Sequence, residues 1–300
     1  MTEFREIRAK SILNRLPSKD DWFQCSYTMN IYRGCEHGCT YCDGRSRKYW
    51  PSGGNKTFSS RVIVKANAPS LLKTKLMKLP KKEVIALGGG VNDSWQPCEE
   101  RYGLTRKCLE ILMKRDFPVC MMTKSELILR DMDIIKQIAE KNWCFVAVSL
   151  STVDEKLSRI FEPNAPSPKK RLDVIKRFAD EGITAGVCYM PIIPYLTDSV
   201  EQIEKTIAMA KDSKASFVLA SSMTLSDYQK KYFMDLIKLR YRRLVPAFED
   251  LYRYGHSPGG NYQGILEARI EKACSKHKMK RKVPEFKLNE DPLQLKLPSS

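Results

Sequence analysis

The chain has 300 residues, enough for one large α/β domain or two small ones, and its 42% hydrophobic content is sufficient for a core. No apolar run reaches the length of a membrane span and the opening MTEFREIRAK has no apolar centre, which excludes a membrane protein and a secretory leader and points to a soluble cytoplasmic protein. Lys and Arg outnumber Asp and Glu by 52 to 35, a formal charge of +17 that favours a polyanionic partner or serves solubility alone, and the ten cysteines suit metal binding or buried thiols better than disulfides.

Residues 1–25 are set apart as an N-terminal segment, and the first strand is expected over 26–32. Short apolar, β-branched runs at 84–87, Val119–Thr123, 145–150, 184–190 and 217–220 read as further buried strands. Amphipathic stretches between them read as helices, among them Leu104–Lys114 and Met132–Lys141. Ser167 and Pro168 supply an N-cap and an N1 proline for a helix striped by Leu172, Ile175 and Phe178 and closed by Gly182. Asp198 or Ser199 caps the next helix, where Val200, Ile203, Ile207 and Ala210 are expected to face inward.

Strands alternating with helices imply a parallel sheet with right-handed crossovers. Six such units are too few for a closed eight-fold barrel. The expected fold is therefore α/β, a partial (β/α)6 TIM-like barrel over residues 26–225, with its ligand site at the C-terminal strand ends. A helical C-terminal extension is expected over 226–283, with one long helix at 228–253, a Gly/Pro loop at 256–261 and a further helix at 264–276. The basic run 276–282 then leads into a polar tail, 284–300, expected to be disordered.

The stretch Tyr32-Arg-Gly-Cys35-Glu-His-Gly-Cys39-Thr-Tyr-Cys42 carries the strongest chemical signal. Three thiolates within eight residues can grip three corners of a cubane cluster, and Gly34 and Gly38 permit the tight backbone this needs. With three ligands supplied, one iron stays open to a substrate, much as a catalytic metal keeps a free position. Two other readings compete: a zinc site completed by His37, and an electron-transfer cluster with a fourth cysteine. However, His37 lies inside the loop, whereas zinc spacing brings a distant second pair, and no fourth cysteine follows at regular spacing.

At these residues the chain resembles the radical S-adenosylmethionine (SAM) superfamily, whose signature is Cys-x-x-x-Cys-x-x-Cys with an aromatic before the last cysteine, here Tyr41. The resemblance implies a [4Fe–4S] cluster on Cys35, Cys39 and Cys42 whose open iron chelates the amino and carboxylate groups of SAM. It further implies one-electron cleavage of SAM to methionine and a 5′-deoxyadenosyl radical that abstracts hydrogen from a substrate, with reduced flavodoxin or ferredoxin as donor. Over residues 29–225 the chain is similar to spore photoproduct lyase and its relatives. That similarity rests on the cluster loop, Thr123-Lys124-Ser125, Val148-Ser149-Leu150-Ser151 and Phe161-Glu-Pro-Asn-Ala-Pro-Ser-Pro-Lys-Lys-Arg171.

By this resemblance Lys124 pairs with the SAM carboxylate, and Ser149 and Ser151, on one strand face, reach the ribose or methionine polar groups. Gly88-Gly89-Gly90 matches the glycine-rich turn by which many radical SAM proteins approach the SAM amino group, so Gly89 and Gly90 join Tyr41 as cofactor-binding candidates. The usual acidic residue does not follow at once, which leaves Asn92 or Asp93 in its place. The lyases carry a hydrogen-donating cysteine where this chain has Gly90; Cys98, later in the same loop, is the candidate donor or else a buried thiol. Cys120, Cys144 and Cys188 fall within strands and are expected to pack inertly.

Arg45, Arg47, Lys48 and Tyr49, with residues 240–243 and 276–282, suit a nucleic-acid surface and equally a solvated one. The expected function is a radical SAM enzyme acting on an unidentified substrate, with nucleic acid a candidate. Radical modification of RNA, a peptide or a small molecule is the alternative, and a non-catalytic iron–sulfur binding or regulatory protein is the second class.

Overall fold

The computed structural model describes residues 2–50, 57–89 and 91–286. In chain order the strands are β1 (Glu3–Ile7), β2 (Leu13–Arg15), β3 (Tyr27–Met29), β4 (Tyr32–Arg33), β5 (Arg61–Lys65), β6 (Ile85–Leu87), β7 (Val119–Thr123), β8 (Cys144–Ser149), β9 (Ala185–Ile192) and β10 (Val218–Ser222). The helices are α1 (Ala68–Leu76), α2 (Cys98–Tyr102), α3 (Leu104–Lys114), α4 (Met132–Lys141), α5 (Glu155–Phe161), α6 (Pro168–Asp180), α7 (Val200–Asp212), α8 (Asp227–Arg240), α9 (Val245–Leu251) and α10 (Gly260–Lys276).

The main sheet has the order β10-β9-β8-β7-β6-β3-β2. Its first six strands pair in parallel, and β2 adds an antiparallel edge. Each parallel neighbour is also the next strand of the sheet in sequence, with helices in the crossovers, so the chain adopts the expected partial (β/α)6 barrel. Strand alternation divides the core in two. Val119, Met121, Val146, Val148 and Val187 pack outward under the helices, whereas Cys120, Phe145, Ala147, Cys188 and Leu219 fill the barrel interior. Cys144 packs on the outer side, and the buried Cys120 and Cys188 on the inner.

The helices α3 and α4 coincide with the two amphipathic stretches. Their buried residues, Leu104, Cys108, Leu109 and Leu112 in one and Ile134, Ile135 and Ile138 in the other, form single apolar stripes. Ser167 caps α6 by accepting from Lys170 N, and Ser199, not Asp198, caps α7 by accepting from Gln202 N. Ile203, Ile207 and Ala210 are buried as expected. Val200 is 46% exposed, because a helix's first residue has no preceding turn for its side chain to lie over.

Two further departures lie at the C-terminal side. The expected continuous helix at 228–253 is broken: α8 ends before Tyr241, a 3-10 turn spans Arg242–Leu244, and α9 starts with Pro246 in its first turn. A proline lacks the N–H of a helix interior and clashes with the preceding turn, so the chain restarts there. The second departure is at the barrel's N-terminal end, which the chain closes with its own tail. Lys280 O accepts from Val218 N at 2.8 Å, and Pro284 O accepts from Trp143 Nε1 at 3.2 Å and Gln24 Nε2 at 2.9 Å. Val283 is buried in the barrel interior, and Phe286 lies 5.4 Å from the Trp143 ring. Residues 284–286 are thus ordered against the floor, while 287–300, the rest of the expected disordered tail, lie outside the described residues.

The N-terminal residues contribute to the site. β1 pairs in parallel with β5, and β4 pairs antiparallel on its other side, so this small sheet delivers the chain from β4 directly into the cysteine loop. Among the described residues no helix is long and apolar enough to cross a membrane.

Candidate functional site

The cysteine loop is held by its own backbone and one buried cation. Gly34 adopts φ +85°, and a Cβ there would stand 2.4 Å from Arg61 O, so this turn requires glycine. Cys35 N donates to Phe58 O at 3.2 Å, Gly38 N to Cys35 O at 3.3 Å and Cys42 N to Cys39 O at 3.4 Å. Arg45 is fully buried and donates from Nε to Cys39 O at 2.8 Å and from Nη2 to Gly38 O at 3.0 Å. Its guanidinium lies 4.0 Å from the Tyr232 ring centroid, a cation–π contact from α8. Arg45 therefore braces the loop from inside, which corrects its reading as a surface cation; Arg47 and Lys48 remain exposed.

Cys35, Cys39 and Cys42 line one cavity of about 380 Å³ together with Tyr41, Gly89, Lys124 and Ser149. Thr123, Met190 and Ser222 bring the ends of β7, β9 and β10 to its wall, so it lies at the C-terminal ends of the barrel strands. Among the described residues no three His, Cys, Asp or Glu side chains are placed to hold a single metal ion. A cubane asks for a different arrangement, since each cysteine binds its own iron, and three thiols around a shared cavity fit it. Burial pushes the Cys39 thiol up to about 12, so the metal-free thiol is neutral and a metal bound there would have to displace its proton.

Asp93 locks the wall beside the loop. It accepts from Thr123 Oγ1 at 2.7 Å, Lys124 N at 2.7 Å and Trp95 N at 2.9 Å, and its Oδ2 lies 3.2 Å from His37 Nε2. Burial works against this carboxylate, but the His37 contact and the other donors outweigh it and hold its pKa below the usual value. Both oxygens are thus engaged. The neighbouring Asn92 donates from Nδ2 to Asn30 Oδ1 at 3.1 Å, while its buried Oδ1 has no partner among the described residues, as is true of His37 Nδ1.

Lys124 Nζ donates to Ser149 Oγ at 2.8 Å and lies 5.8 Å from the Tyr41 ring centroid. Burial disfavours its ammonium, but the charge of Cys39 when deprotonated and the Glu162 carboxylate outweigh that and hold its pKa above the ordinary lysine value. Gly88 and Gly89 turn the chain at φ +77° and +89°, and a Cβ on Gly88 would stand 2.1 Å from Met122 O. Gly89 reaches the cavity; Gly90 lies outside the described residues.

Ser151 does not line the cavity. It donates to Glu162 Oε1 at 3.1 Å, within a buried network behind the loop. The Glu162 carboxylate also accepts from the Tyr41 hydroxyl, from Ser158 Oγ at 3.2 Å and from Arg171 Nη2 at 2.5 Å. Arg171 donates in turn to Ser149 O at 3.2 Å and Pro166 O at 2.7 Å. Burial opposes the Glu162 carboxylate, but Arg171 and Lys124 dominate and lower its pKa to about 2. The motif at 161–171 contains both ends of this ion pair, but their pairing is a tertiary fact that spacing alone does not disclose.

Cys98 likewise stays off the cavity. It opens α2 and packs in the outer core, its N donating to Glu36 Oε2 at 2.7 Å, and burial pushes its thiol well above the ordinary value. Its position is that of the buried thiol, the second of the two readings of Cys98. The sequence also gave no signal for Asp43, Met190, Ser221, Ser222, Met223 and Thr224, which form the cavity wall away from Gly89 and Lys124 in sequence.

An uncharacterized protein of Mycobacterium tuberculosis is 30% identical over 278 residues, covering 92% of this chain and 81% of its own. An uncharacterized protein of Methanocaldococcus jannaschii is 34% identical over 196 residues, covering 65% of this chain and 70% of its own. Among solved structures, spore photoproduct lyase complexed with dinucleoside spore photoproduct matches with a TM-score of 0.65 at 16% identity, over 91% of this chain and 79% of that one, a likeness of fold. Residues 29–210, from the end of β3 into α7, match the model of the radical SAM superfamily, and the chain belongs to that superfamily.

Proposed function

We propose that this protein is an enzyme that holds a [4Fe–4S] cluster on Cys35, Cys39 and Cys42, cleaves SAM reductively, and acts on a nucleic-acid substrate. The observation that carries the reading is that the three thiols and the Lys124–Ser149 pair open on one cavity at the strand ends. When bound, the cluster supplies one electron to the sulfonium of SAM, releasing methionine and a 5′-deoxyadenosyl radical that takes hydrogen from the substrate.

The chain's own residues divide the remaining work. Lys124, oriented by Ser149, offers its ammonium to the SAM carboxylate. Asn92, whose buried Oδ1 has no partner among the described residues, takes the SAM amino group, since Asp93 is already saturated. Gly89 lets the backbone approach the cofactor closely, and Tyr41 supports the Lys124 ammonium with its ring. Ser151 acts one step removed, by helping Glu162 hold Tyr41. Met122, Met190, Pro191 and Met223 give the cavity an apolar wall that keeps water from a radical. A reduced flavodoxin or ferredoxin is the proposed electron donor. The nucleic-acid part is supported by the charge of +17, by exposed Arg47 and Lys48 next to the loop, and by the dinucleoside bound to the lyase of like fold.

Anaerobic reconstitution tests the reading. The reduced protein is expected to give a cluster EPR signal that shifts on adding SAM, and to form 5′-deoxyadenosine. Cys39→Ala abolishes both. A fully reconstituted wild type that shows neither refutes the enzyme.

A further inference from the structure

Asp43, directly after Cys42, lines the same cavity, and its carboxylate is held on one side only. Oδ1 accepts from Gln229 Nε2 at 2.8 Å and from Thr224 Oγ1 at 3.2 Å. Among the described residues no donor reaches Oδ2, and no Lys, Arg or His pairs with it, in a chain with 52 Lys and Arg. Gln229 is fixed for this task. Its Nε2 also donates to Tyr41 O at 2.6 Å and Thr224 O at 2.9 Å, and its Oε1 accepts from Ser226 N at 2.9 Å, closing the capping box of α8. Asp43 is exposed, so the brace orients its carboxylate and leaves one oxygen open to solvent at the edge of the cavity, where a ligand can displace water from it.

The rest of that wall narrows the ligand. Ser221, Ser222, Met223, Thr224, Met190 and Pro191 carry no cation, so no phosphate is neutralised there. The acceptor takes an N–H or O–H donor, and on a nucleobase, which carries no hydroxyl, that donor is an N–H. A cationic ligand meets repulsion from a chain of +17, whereas a neutral amine on a polyanion satisfies both the acceptor and the field. Arg47 and Lys48, exposed within five residues of Asp43, are available to the phosphates outside.

Resting on the nucleic-acid reading above, we propose that Asp43 selects the base that enters the cavity, accepting the exocyclic amine of cytosine or adenine. Thymine and uracil present a carbonyl oxygen at the corresponding position, which faces the carboxylate lone pairs. Asp43 is thus a specificity residue for the substrate, distinct from the residues assigned to SAM.

The test uses the reconstituted, SAM-loaded protein under anaerobic conditions and the fluorescence anisotropy of labelled single-stranded oligo(dC) and oligo(dT). Wild type is expected to bind oligo(dC) about tenfold more tightly. Asp43→Leu is expected to erase that preference while the salt dependence of binding, which reports phosphate contacts, persists. Thr224→Val, which removes one brace, is expected to reduce the preference in part and serves where the Leu variant fails to load its cluster. Equal binding of the two strands by wild type, or a preference unchanged in both variants, overturns the inference and leaves the nucleic-acid reading standing. Absence of oligonucleotide binding at low salt overturns both. Tighter binding of oligo-lysine than of either strand overturns both in favour of a cationic peptide.

Discussion

Glu162 is the residue on which the back of the site depends. Its carboxylate receives the Tyr41 hydroxyl, two serine hydroxyls and Arg171, all away from water. Removing one partner of a buried pair strands the other charge, so Glu162→Gln is expected to destabilise the protein by about 3–5 kcal/mol in denaturant unfolding. Tyr41→Phe removes a hydrogen bond to that charged carboxylate and is expected to lose about 1.5–3 kcal/mol. The pH dependence follows from the same pair. A carboxyl held at about 2, against 4.5 in the unfolded chain, stabilises fully above pH 4.5, and that contribution fades as pH falls towards 2. Wild type is expected to lose stability across that window and Glu162→Gln to lose less; equal acid sensitivity refutes the assignment. At this scale the sequence was legible where a residue's place at the cavity follows from a local motif or a strand end, as with the three cysteines, Lys124, Ser149 and Gly89. It misled where a periodicity stops. The common face for Ser149 and Ser151 assumed a strand through both, but β8 ends at Ser149, and the chain beyond it turns Ser151 to Glu162.

Among the elements, the β6–β7 pair has the least room for change. Leu87 is in register with Met121, and Gly88 then turns at φ +77° with its α-carbon against Met122 O. Gly88→Ala places a methyl 2.1 Å from that carbonyl in a conformation L residues rarely adopt, so β7 must move. A loss of about 2 kcal/mol or more is expected from strain. Because Lys124 follows β7 directly, SAM affinity is expected to fall even in protein that has loaded its cluster, as read by the SAM concentration needed to shift the EPR signal. Unchanged SAM affinity separates this turn from the site. Five of the barrel strands and helices α3, α4, α6 and α7 were readable because each buries a continuous face, whereas the first strand, expected over 26–32, is two: β3 in the barrel and β4 in the small sheet. β1 was not, because its residues are exposed or half-buried and its pairing with β5 lies more than 50 positions away. The break between α8 and α9 shows the opposite error, a helical pattern read through a proline that the backbone does not tolerate in a helix interior.

The whole molecule closes an open barrel at both ends with its own chain. The cysteine loop, braced by α8 through Gln229 and Tyr232, covers the C-terminal end. Trp143, Phe145 and Phe217 floor the N-terminal end in edge-to-face contacts at 5.0 and 5.4 Å, and the tail seals them. Without that seal the inner face, with Cys120, Cys188 and Leu219, meets water from below. A chain ending at Lys282 loses the burial of Val283 and Phe286 and the Pro284 carbonyl that receives Trp143 and Gln24. Burial and hydrogen bonds together set the expected loss at about 3 kcal/mol. The comparison is with a chain ending at Phe286, which keeps the seal and differs from the full chain only in residues 287–300. Thermal unfolding is expected to separate the two truncations, with the longer one close to the full chain. If both fall equally, the stabilising contacts lie beyond Phe286 and the floor stands without its seal. If only the shorter one falls, the residues read as the start of a disordered tail are the last piece of the barrel core.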